Sequence, residues 1–600
     1  MKKIVSLFTV CFIAVLSVSC ADFLEEKPTT QLSEATVFST EVALEAEMAG
    51  VSEILHAYGH YVKGDCYRYW FQASGLATSS NGVTASCRNF TYESGQNEGN
   101  YQPFSNAFAS IERCNRIITN LPKSPVDQAY KNEIDGEARF MRAFHYFLVA
   151  GCWGDAPIYE RSVTGIEDVY RERDAWWRVY IQIIKDLEFA EENMRTIARQ
   201  EEINFEMNRP ARGAATTLKA YTYVTIGSLL AHPDDNFWDS SKDAELIAAG
   251  KDPRTPDFSS IGIKSAKDAF QLALEAAKKV LDSGDYSLCP DFRKLYRFKE
   301  HDEFFLPEYI LEFPSNPACG VHHRFTYSAP EYYYKEARQK NGPRMRPGRF
   351  FIQQILKYSG GETYPEDSPY KNIYYKTEDP RYYASFCDYY MQKGTTEMKT
   401  YPLDPTGSNN NKLAPHFMKA HVEGGQDYAG LHALKLSDVY LVAAEACANL
   451  SSSKGDAYWN DALGYLNVLR TRARKSHDAG EPDKTQPADY TAASFSTKDE
   501  LITAVFWERM IELNFECGKE LLDDHRMGAT WLRDNISIPG NEFFADPYHA
   551  AYLSGKVKGS EPGKVYETDI FMLRKGLRLS YPATELIENQ KAKQNDFYLE

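Results

Sequence analysis

Apolar residues recur at three-to-four-residue spacing in several long stretches of the chain, which predicts amphipathic helices. The stretch "LKLSDVYLVAAEACANL" places one apolar stripe on Leu436, Val439, Tyr440, Ala443, Cys447 and Leu450. The stretch "DAFQLALEAAKKVLDSGDYSL" predicts a helix that begins at Asp268 as its N-cap and ends near Gly284. The stretches "DGEARFMRAFHYFLVAGCWGD" and "WWRVYIQIIKDLEFAEENM" have the same periodicity. The chain is therefore predicted to be mainly α.

Small residues lie on one side of several predicted helices and aromatic residues on the other. Alanines at positions 269, 273, 276 and 277 would let a second helix approach closely. Stacked helical hairpins use this arrangement, although no clean 34-residue repeat signature is present. The predicted fold is an imperfect tetratricopeptide-like helical repeat scaffold with long aromatic-rich loops.

Two segments without helical periodicity interrupt the scaffold, at about 301–426 and 475–498. They are rich in Gly, Pro, Asn and Tyr, and the first includes the turn-forming run "DPTGSNNNK". Loops of this length in a compact protein are commonly functional, and their aromatic content argues against disorder. We expect loop-rich insertions within a single domain that spans residues 20–600.

The start of the chain resembles a bacterial lipoprotein signal. Lys2 and Lys3 precede an apolar run, Ile4–Val15, that is shorter than the roughly 20 residues needed to span a bilayer. Small residues then lead to Cys20. The resemblance implies that residues 1–19 are removed and that the Cys20 thiol is lipidated. Such a lipid would anchor the protein firmly, because it carries more than one acyl chain. An ordinary signal peptide cut elsewhere is the alternative.

Composition narrows the classes of partner. The 600-residue chain has 43% hydrophobic residues and a formal net charge of −16, which becomes −18 once Lys2 and Lys3 leave. Such a surface disfavours nucleic acid, which needs clustered Lys and Arg. No later apolar run reaches spanning length, so membrane attachment is expected through the lipid alone. The eleven cysteines form no CxxC pair, and we expect buried thiols without a disulfide framework.

The segment "EARFMRAFHYFLVAGCWGDAPIY" resembles a signature of the SusD/RagB family, carried here by Phe140, Arg142, Ala143, Tyr146, Phe147, Gly154, Asp155 and Pro157. Further family landmarks follow the expected order at Ile111 and Asn115; Asp379, Pro380 and Arg381; Asn467, Arg470 and Arg472; Glu508, Arg509, Glu512, Leu513 and Glu516; and Pro582, Glu585, Asn589, Gln594 and Asn595. The chain departs from the pattern at Lys435, where Arg is usual, and after Glu516, where it is one residue longer.

The resemblance implies an outer-membrane lipoprotein that captures nutrients for a partner SusC-like TonB-dependent transporter, over which it acts as a lid. It also implies that the glycan is bound non-covalently at the cell exterior. The charged signature residues, such as Arg142 and Glu508, are expected to brace the fold, because a family signature is not by itself a site.

Catalytic and metal-binding motifs are absent from the sequence, so the protein is predicted not to be an enzyme. The adjacent pair His322 and His323 is a poor metal site, because neighbouring side chains rarely face one ion. The run "HPDDNFWD" gathers carboxylates of the kind that hold calcium, and a solvated loop is the alternative interpretation. No other cofactor is expected.

Two aromatic-dense loops are the predicted sugar-binding segments, because flat rings stack on the C–H faces of saccharides. The predicted ligand-binding residues are Tyr67, Arg68, Tyr69, Trp70 and Asn81 in one loop, and Tyr327, Tyr332 and Tyr333, with Phe325 and Tyr334 beside them, in the other. These rings would alternatively pack against the scaffold or the transporter, since aromatics also favour protein interfaces.

Two other functions stay open at this point. A peptide-binding, RagB-like member of the same family would use the same scaffold. A surface glycoside hydrolase would need two carboxylates across a scissile bond, and the sequence singles out no such pair.

Overall fold

The structure is a computed structural model that describes residues 37–55, 74, 76–79, 98–202, 209–232, 256–296, 307–313, 345–368, 371–387, 389–391, 398–400, 416–417, 419, 431–516, 518–545, 568–570, 573, 577, 579 and 581–592. Its α-helices are α1 (Glu41–Leu55), α2 (Glu98–Asn120), α3 (Gln128–Trp153), α4 (Ile166–Val169), α5 (Trp176–Asn193), α6 (Ile197–Glu202), α7 (Arg212–Ala231), α8 (Ala266–Leu281), α9 (Arg349–Tyr358), α10 (Pro380–Ser385), α11 (Leu436–Leu450), α12 (Ala457–Arg474), α13 (Lys498–Leu513), α14 (Lys519–Met527), α15 (Ala529–Leu532), α16 (Ile538–Ala545) and α17 (Ala583–Glu588). A π-helical turn, Arg533–Ser537, links α15 to α16.

Long helices that follow one another in the chain pack side by side. Contacts run from α2 to α3, from α3 to α5, from α5 to α7, from α7 to α8, from α8 to α11 and from α11 to α12. The close approach of α7 and α8 depends on small residues: a Cβ added at Gly227 would lie 2.8 Å from the ring of Phe270. The α8 alanines at positions 269, 273, 276 and 277 are buried, as their spacing predicts. The mainly-α, tetratricopeptide-like scaffold is confirmed.

The start of α8 corrects one prediction. The N-cap is Ser265 and not Asp268, which lies three residues inside the capping position. Ser265 Oγ accepts a hydrogen bond from the Asp268 amide at 3.3 Å and donates one to the Asp268 carboxylate at 3.0 Å. The carboxylate sits in the first turn, where the helix dipole favours it, so Asp268 supports the cap provided by the serine. The helix ends at Leu281, three residues before Gly284, whose φ of +77° turns the chain away.

The helix α11 is buried on more faces than its apolar stripe predicts. It contacts α7, α8, α12 and α13, and Ser437, Asp438 and Glu445 are as buried as its leucines. A single apolar stripe is typical of a helix with one face packed on the core and the other in solvent, whereas α11 is surrounded by other helices. Two of its buried polar side chains form ion pairs with residues that are distant in sequence, Asp438 with Lys519 and Glu445 with Arg526.

Short antiparallel strand pairs decorate the helices. The strands are β1 (Ala77–Ser79), β2 (Tyr309–Phe313), β3 (Met345–Pro347), β4 (Glu362–Thr363), β5 (Tyr374–Lys376), β6 (Phe386–Cys387), β7 (Tyr389–Met391), β8 (Met398–Thr400), β9 (His416–Phe417) and β10 (Leu431–Lys435). They pair as β1 with β3, β2 with β10, β4 with β5, β6 with β9 and β7 with β8. Within 301–426 the described residues therefore contain paired strands and the ten-residue helix α9, where the sequence shows turn chemistry.

Charged signature residues meet inside the scaffold. The Arg381 guanidinium is fully buried, where it contacts both carboxylate oxygens of Asp379, the Glu508 carboxylate at 2.7 Å and the Glu512 carboxylate at 3.2 Å. Arg472 also pairs with Glu512. Burial opposes ionisation of Glu512, yet Arg472 and Arg381 hold the pKa of this carboxyl below its usual range. These residues join three distant segments of the chain.

Lys435, the departure from the family pattern, completes a second buried cluster. Its ammonium lies 3.0 Å from Glu516, which Lys419 also contacts at 2.8 Å. The side chain of Lys435 is fully buried, so the amine replaces the usual guanidinium without losing its carboxylate partner. The departure leaves the charge of the cluster unchanged.

The cysteines whose side chains the structure describes are buried and form no disulfide with one another: Cys114, Cys152, Cys289 and Cys447. Burial raises the pKa of the Cys114 thiol to about 12, so it remains protonated and packs as a small apolar group. None of the described helices is long and apolar enough to cross a membrane.

Candidate binding sites

The predicted ligand-binding residues Tyr67, Arg68, Tyr69, Trp70, Asn81, Tyr327, Tyr332 and Tyr333 all lie outside the described residues. The same holds for Cys20, for the histidine pair at 322–323 and for the carboxylates of "HPDDNFWD". Two described strands are close to these loops in the sequence. Strand β1 lies between Trp70 and Asn81, and β3 follows Tyr334.

Strand β1 and strand β3, which are near the two predicted aromatic loops in the sequence, pair with each other. Their register is Ala77 to Pro347, Thr78 to Arg346 and Ser79 to Met345. The Gly348 amide extends the pairing by donating to the Leu76 carbonyl at 2.7 Å. Trp70 precedes β1 by seven residues in the sequence, and Tyr334 precedes β3 by eleven.

A single tryptophan fixes this strand pair to the helical core. The chain passes directly from β3 into α9, whose rings Phe350, Phe351 and Tyr358 surround Trp507 of α13 at centroid distances of 6.0–6.5 Å. Tyr358 stacks on the indole at an interplanar angle of 20°. Aromatic contacts of this kind stabilise beyond the area that they bury, so they anchor α9, and with it β3, to α13.

A third segment reaches the same place. Strand β9 contacts β3, and Phe417 of β9 stacks on Phe515 at 4.4 Å. The run "DPTGSNNNK" ends four residues before β9. The described strands β1 and β9 therefore both contact β3.

An open cleft of about 1220 Å³, formed by other residues, lies between the α3–α5 connection and α5 itself. Its walls come from residues 158–174 and from Arg178, Ile181, Gln182 and Lys185 of α5, with Ser260 and Lys591 at the edge. Gln182 is only 8% exposed, and its side-chain amide has no hydrogen-bond partner among the described residues.

Charges of both signs line this cleft in equal number. The cations are Arg161, Arg171, Arg178, Lys185 and Lys591, and the anions are Glu160, Glu167, Asp168, Glu172 and Asp174. Within the described part of the chain, Arg161, Arg178, Lys185 and Lys591 have no carboxylate at ion-pair distance. Burial raises the pKa of the Tyr159 hydroxyl to about 12, and this hydroxyl donates to the Val169 carbonyl.

The family signature holds the cleft wall in place. Arg142 grips Asp186 through two hydrogen bonds of 2.6 and 2.8 Å and uses a third to reach the Glu160 carbonyl at 2.9 Å. The Tyr146 hydroxyl accepts from the Tyr159 amide at 2.7 Å. The wall is therefore bound to α3 and α5 through buried groups, as a bracing role for the signature predicts.

A residue from the far end of the chain secures the same wall. The Asn589 side chain donates to the Arg171 carbonyl at 2.9 Å, across 418 positions of sequence. Sequence reasoning missed this cleft, because "RSVTGIEDVYRERD" reads as an ordinary solvated loop. The one available signal was a glutamine within the apolar face of α5.

No group of three or more His, Cys, Asp or Glu side chains suitable for a metal occurs among the described residues.

Comparisons with known proteins agree with this fold. A profile of the SusD family matches residues 324–598, and a profile described as "Starch-binding associating with outer membrane" matches residues 22–224. The SusD-like protein P2 of Formosa agariphila is 22% identical over 541 residues, which cover 86% of this chain and 89% of that protein. A SusD-like protein of Bacteroides ovatus is 22% identical over 512 residues, covering 78% of this chain and 76% of the relative.

Solved structures show the same architecture. A SusD homolog from Bacteroides thetaiotaomicron superimposes with a TM-score of 0.67 at 15% identity, covering 94% of this chain and 98% of the other. NanU of B. fragilis superimposes with a TM-score of 0.59 at 17% identity, covering 96% and 100%. The two profiles match both ends of the chain, and the helical scaffold joins them, so the chain belongs to the SusD/RagB family.

Proposed function

We propose that this protein is a cell-surface lipoprotein that binds an oligosaccharide or polysaccharide without cleaving it and delivers it to a SusC-like TonB-dependent transporter. The observation that carries the proposal is the pairing of β1 with β3, the described strands that are nearest in sequence to Trp70 and Tyr334. Rings and amides from both loops would then reach one glycan together. The family profile that describes starch binding at the outer membrane supports the same class of ligand.

Affinity electrophoresis tests the binding step. Protein beginning after Cys20 is run through native gels cast with starch, xylan, pectin or no polysaccharide, beside Trp70→Ala and Tyr332→Ala variants. We expect one polysaccharide to retard the wild type and both variants to lose that retardation. Tyr375→Ala removes a ring from β5, outside the aromatic loops, and should migrate like the wild type.

The outcomes separate the alternatives. Retardation that both variants retain would contradict the loop site. Retardation by none of the polysaccharides would contradict glycan capture and favour a peptide-binding, RagB-like role. Release of reducing sugar from the retained polysaccharide would overturn the non-catalytic assignment and favour a glycoside hydrolase.

The lipid anchor has its own test. Lipidated protein partitions with the detergent phase of a membrane extract, because each buried methylene adds about 0.8 kcal/mol. Cys20→Ala should move the protein to the aqueous phase, whereas Cys11→Ala, inside the apolar run, should leave it in the detergent phase. Equal partitioning of the two variants would contradict lipidation at Cys20.

A further inference from the structure

The cleft between the α3–α5 connection and α5 contains an amide that no described residue engages. Gln182 lines the cleft and exposes only 8% of its surface, and neither its carbonyl nor its NH₂ group meets a partner among the described residues. The amide atoms are not among the solvent-shielded unpaired groups, so they are the part of this packed side chain that reaches the cleft. The amide therefore presents one acceptor and two donors to whatever occupies the cleft.

The charged residues of the cleft indicate which kind of ligand would bind there. Five cations and five anions line it, so it has no net preference for an anion or a cation. Arg161 and Lys185 offer donors, and Glu160 and Glu172 offer acceptors, without ion-pair partners among the described residues. A hydroxyl group is both donor and acceptor, so a ligand dense in hydroxyls satisfies both sets at once.

Two tyrosines supply a surface for the apolar face of such a ligand. Tyr159 and Tyr170 both line the cleft and are half-buried. The Tyr159 hydroxyl is used by the Val169 carbonyl, and the Arg171 guanidinium lies 5.5 Å from its ring. Tyr170 has neither a ring partner nor a side-chain hydrogen bond within the described residues, so its ring remains available for stacking.

Hydrogen bonds from the scaffold hold the wall of the cleft. Arg142, Tyr146 and Asn589 fix this wall through the backbone of Glu160, Tyr159 and Arg171. A wall held in this way reduces the entropic cost of ordering loops on binding. The cleft volume of 1220 Å³ exceeds the range of about 300–1,000 Å³ that is typical of sites for single small molecules, which suits several linked sugar units.

We propose that this cleft is a second saccharide site, which holds an uncharged stretch of a glycan at Gln182 and Tyr170, separate from the aromatic loops. The inference rests on the proposed glycan-binding function. A second contact on one chain would raise the avidity for a polysaccharide that reaches both places, without any change at the first site.

Hydrogen–deuterium exchange tests the two sites independently. The wild type is incubated with maltohexaose, cellohexaose, xylohexaose or hexagalacturonate, and protection is measured on peptides covering 158–185, 67–81 and 325–344. We expect at least one of the three neutral hexasaccharides to protect 158–185, including in a Trp70→Ala/Tyr332→Ala variant. Gln182→Leu should weaken that protection. The half-saturating concentration of the hexasaccharide should rise roughly tenfold, because about one or two hydrogen bonds are lost.

Matched controls isolate the cleft from a general loss of structure. Gln271→Leu makes the same change at a half-buried position of α8 outside the cleft, and Lys278→Ala matches Lys185→Ala at an exposed position. Both controls should bind like the wild type, whereas Lys185→Ala should weaken protection of 158–185. Thermal melting of each variant checks that it is folded.

Each result decides between the two sites. Protection of 67–81 and 325–344 alone leaves the proposed function standing and overturns the cleft site. Protection of 158–185 alone supports the cleft and overturns the loop site. Protection nowhere overturns both, and protection by hexagalacturonate alone overturns the uncharged specificity of the cleft.

Discussion

Ser79 and Met345 are register partners in an antiparallel strand pair, although 266 positions separate them in the sequence. Asn81 follows Ser79 by two residues, and the tyrosine-rich run ends eleven residues before Met345. This relationship brings the described strands near the two predicted aromatic loops together, and the proposed function rests on it.

An engineered disulfide checks this register. Thr78 and Arg346 face each other, and opposed residues in antiparallel strands have Cα atoms about 4.5–5.5 Å apart, within the range that a disulfide bridges. The pair Thr78→Cys and Arg346→Cys should therefore cross-link under mild oxidation, as read by non-reducing peptide mapping. A stronger cross-link between Thr78→Cys and Met345→Cys would show that the register is shifted by one residue.

Replacing Arg142 by lysine should loosen the cleft wall. A lysine cannot reproduce the bidentate contact with Asp186 or reach the Glu160 carbonyl at the same time. We expect a loss of about 3 kcal/mol in the free energy of unfolding, as for a broken buried ion pair. Urea unfolding measures the loss, and hydrogen exchange over 155–175 should rise.

Arg199→Lys is the control for that variant. Arg199 lies in α6, is 43% exposed and meets Glu133 at 3.6 Å. Exposed pairs are worth less than about 1 kcal/mol, so this variant should unfold near the wild type. Equal losses in the two variants would contradict the bracing role of Arg142.

Asp524 should be a source of instability above acidic pH. Burial, and then the neighbouring Asp523 and Glu520, raise the pKa of its carboxyl well above the usual value, and neither oxygen has a hydrogen-bond partner among the described residues. Between the unfolded pKa near 4 and the raised folded pKa, the unfolded chain releases a proton that the folded chain retains. Stability from this group is therefore present at low pH and lost as the pH rises.

Asp524→Asn should remove that dependence. The amide mimics the protonated carboxyl, so the variant should gain stability over the wild type at pH 7 and differ little at pH 4. Asp523→Asn is the opposite case, because Asp523 pairs with Arg509 and accepts from Tyr221 at 2.6 Å. It should cost about 3 kcal/mol at pH 7. Denaturant unfolding at both pH values measures these changes. A loss of stability in Asp524→Asn at pH 7 would contradict the raised pKa of the Asp524 carboxyl.

Two glycines should respond to alanine in opposite directions. A Cβ at Gly136 of α3 would lie 3.0 Å from the Met194 backbone nitrogen, whereas a Cβ at Gly464 of α12 would meet open space. Gly464→Ala should stabilise by up to about 1 kcal/mol through helix propensity. Gly136→Ala should destabilise by about 1–3 kcal/mol through overpacking. Thermal melting that moved both variants in the same direction would contradict the close approach at Met194.

Sequence periodicity predicts the helices because burial on one face leaves a pattern, as in α8 and α11. It does not predict that Arg381 meets Glu508, because charges carry no signal of a partner 127 positions away. The β1–β3 pairing escapes prediction for the same reason, since three-residue strands are too short to show alternation. The N-cap at Ser265 was misassigned because Asp268 is equally suited to cap a helix by residue type.

The central claim is that both aromatic loops contact one glycan, and isothermal titration calorimetry with a hexasaccharide of the polysaccharide that retards the wild type tests it most directly. We measure the Kd of the wild type, Trp70→Ala, Tyr332→Ala and the double variant. If Trp70 and Tyr332 stack on the same glycan, each single variant should raise the Kd about tenfold or more. The double variant should abolish the binding event assigned to the loops. A Kd that neither single variant changes would contradict the account.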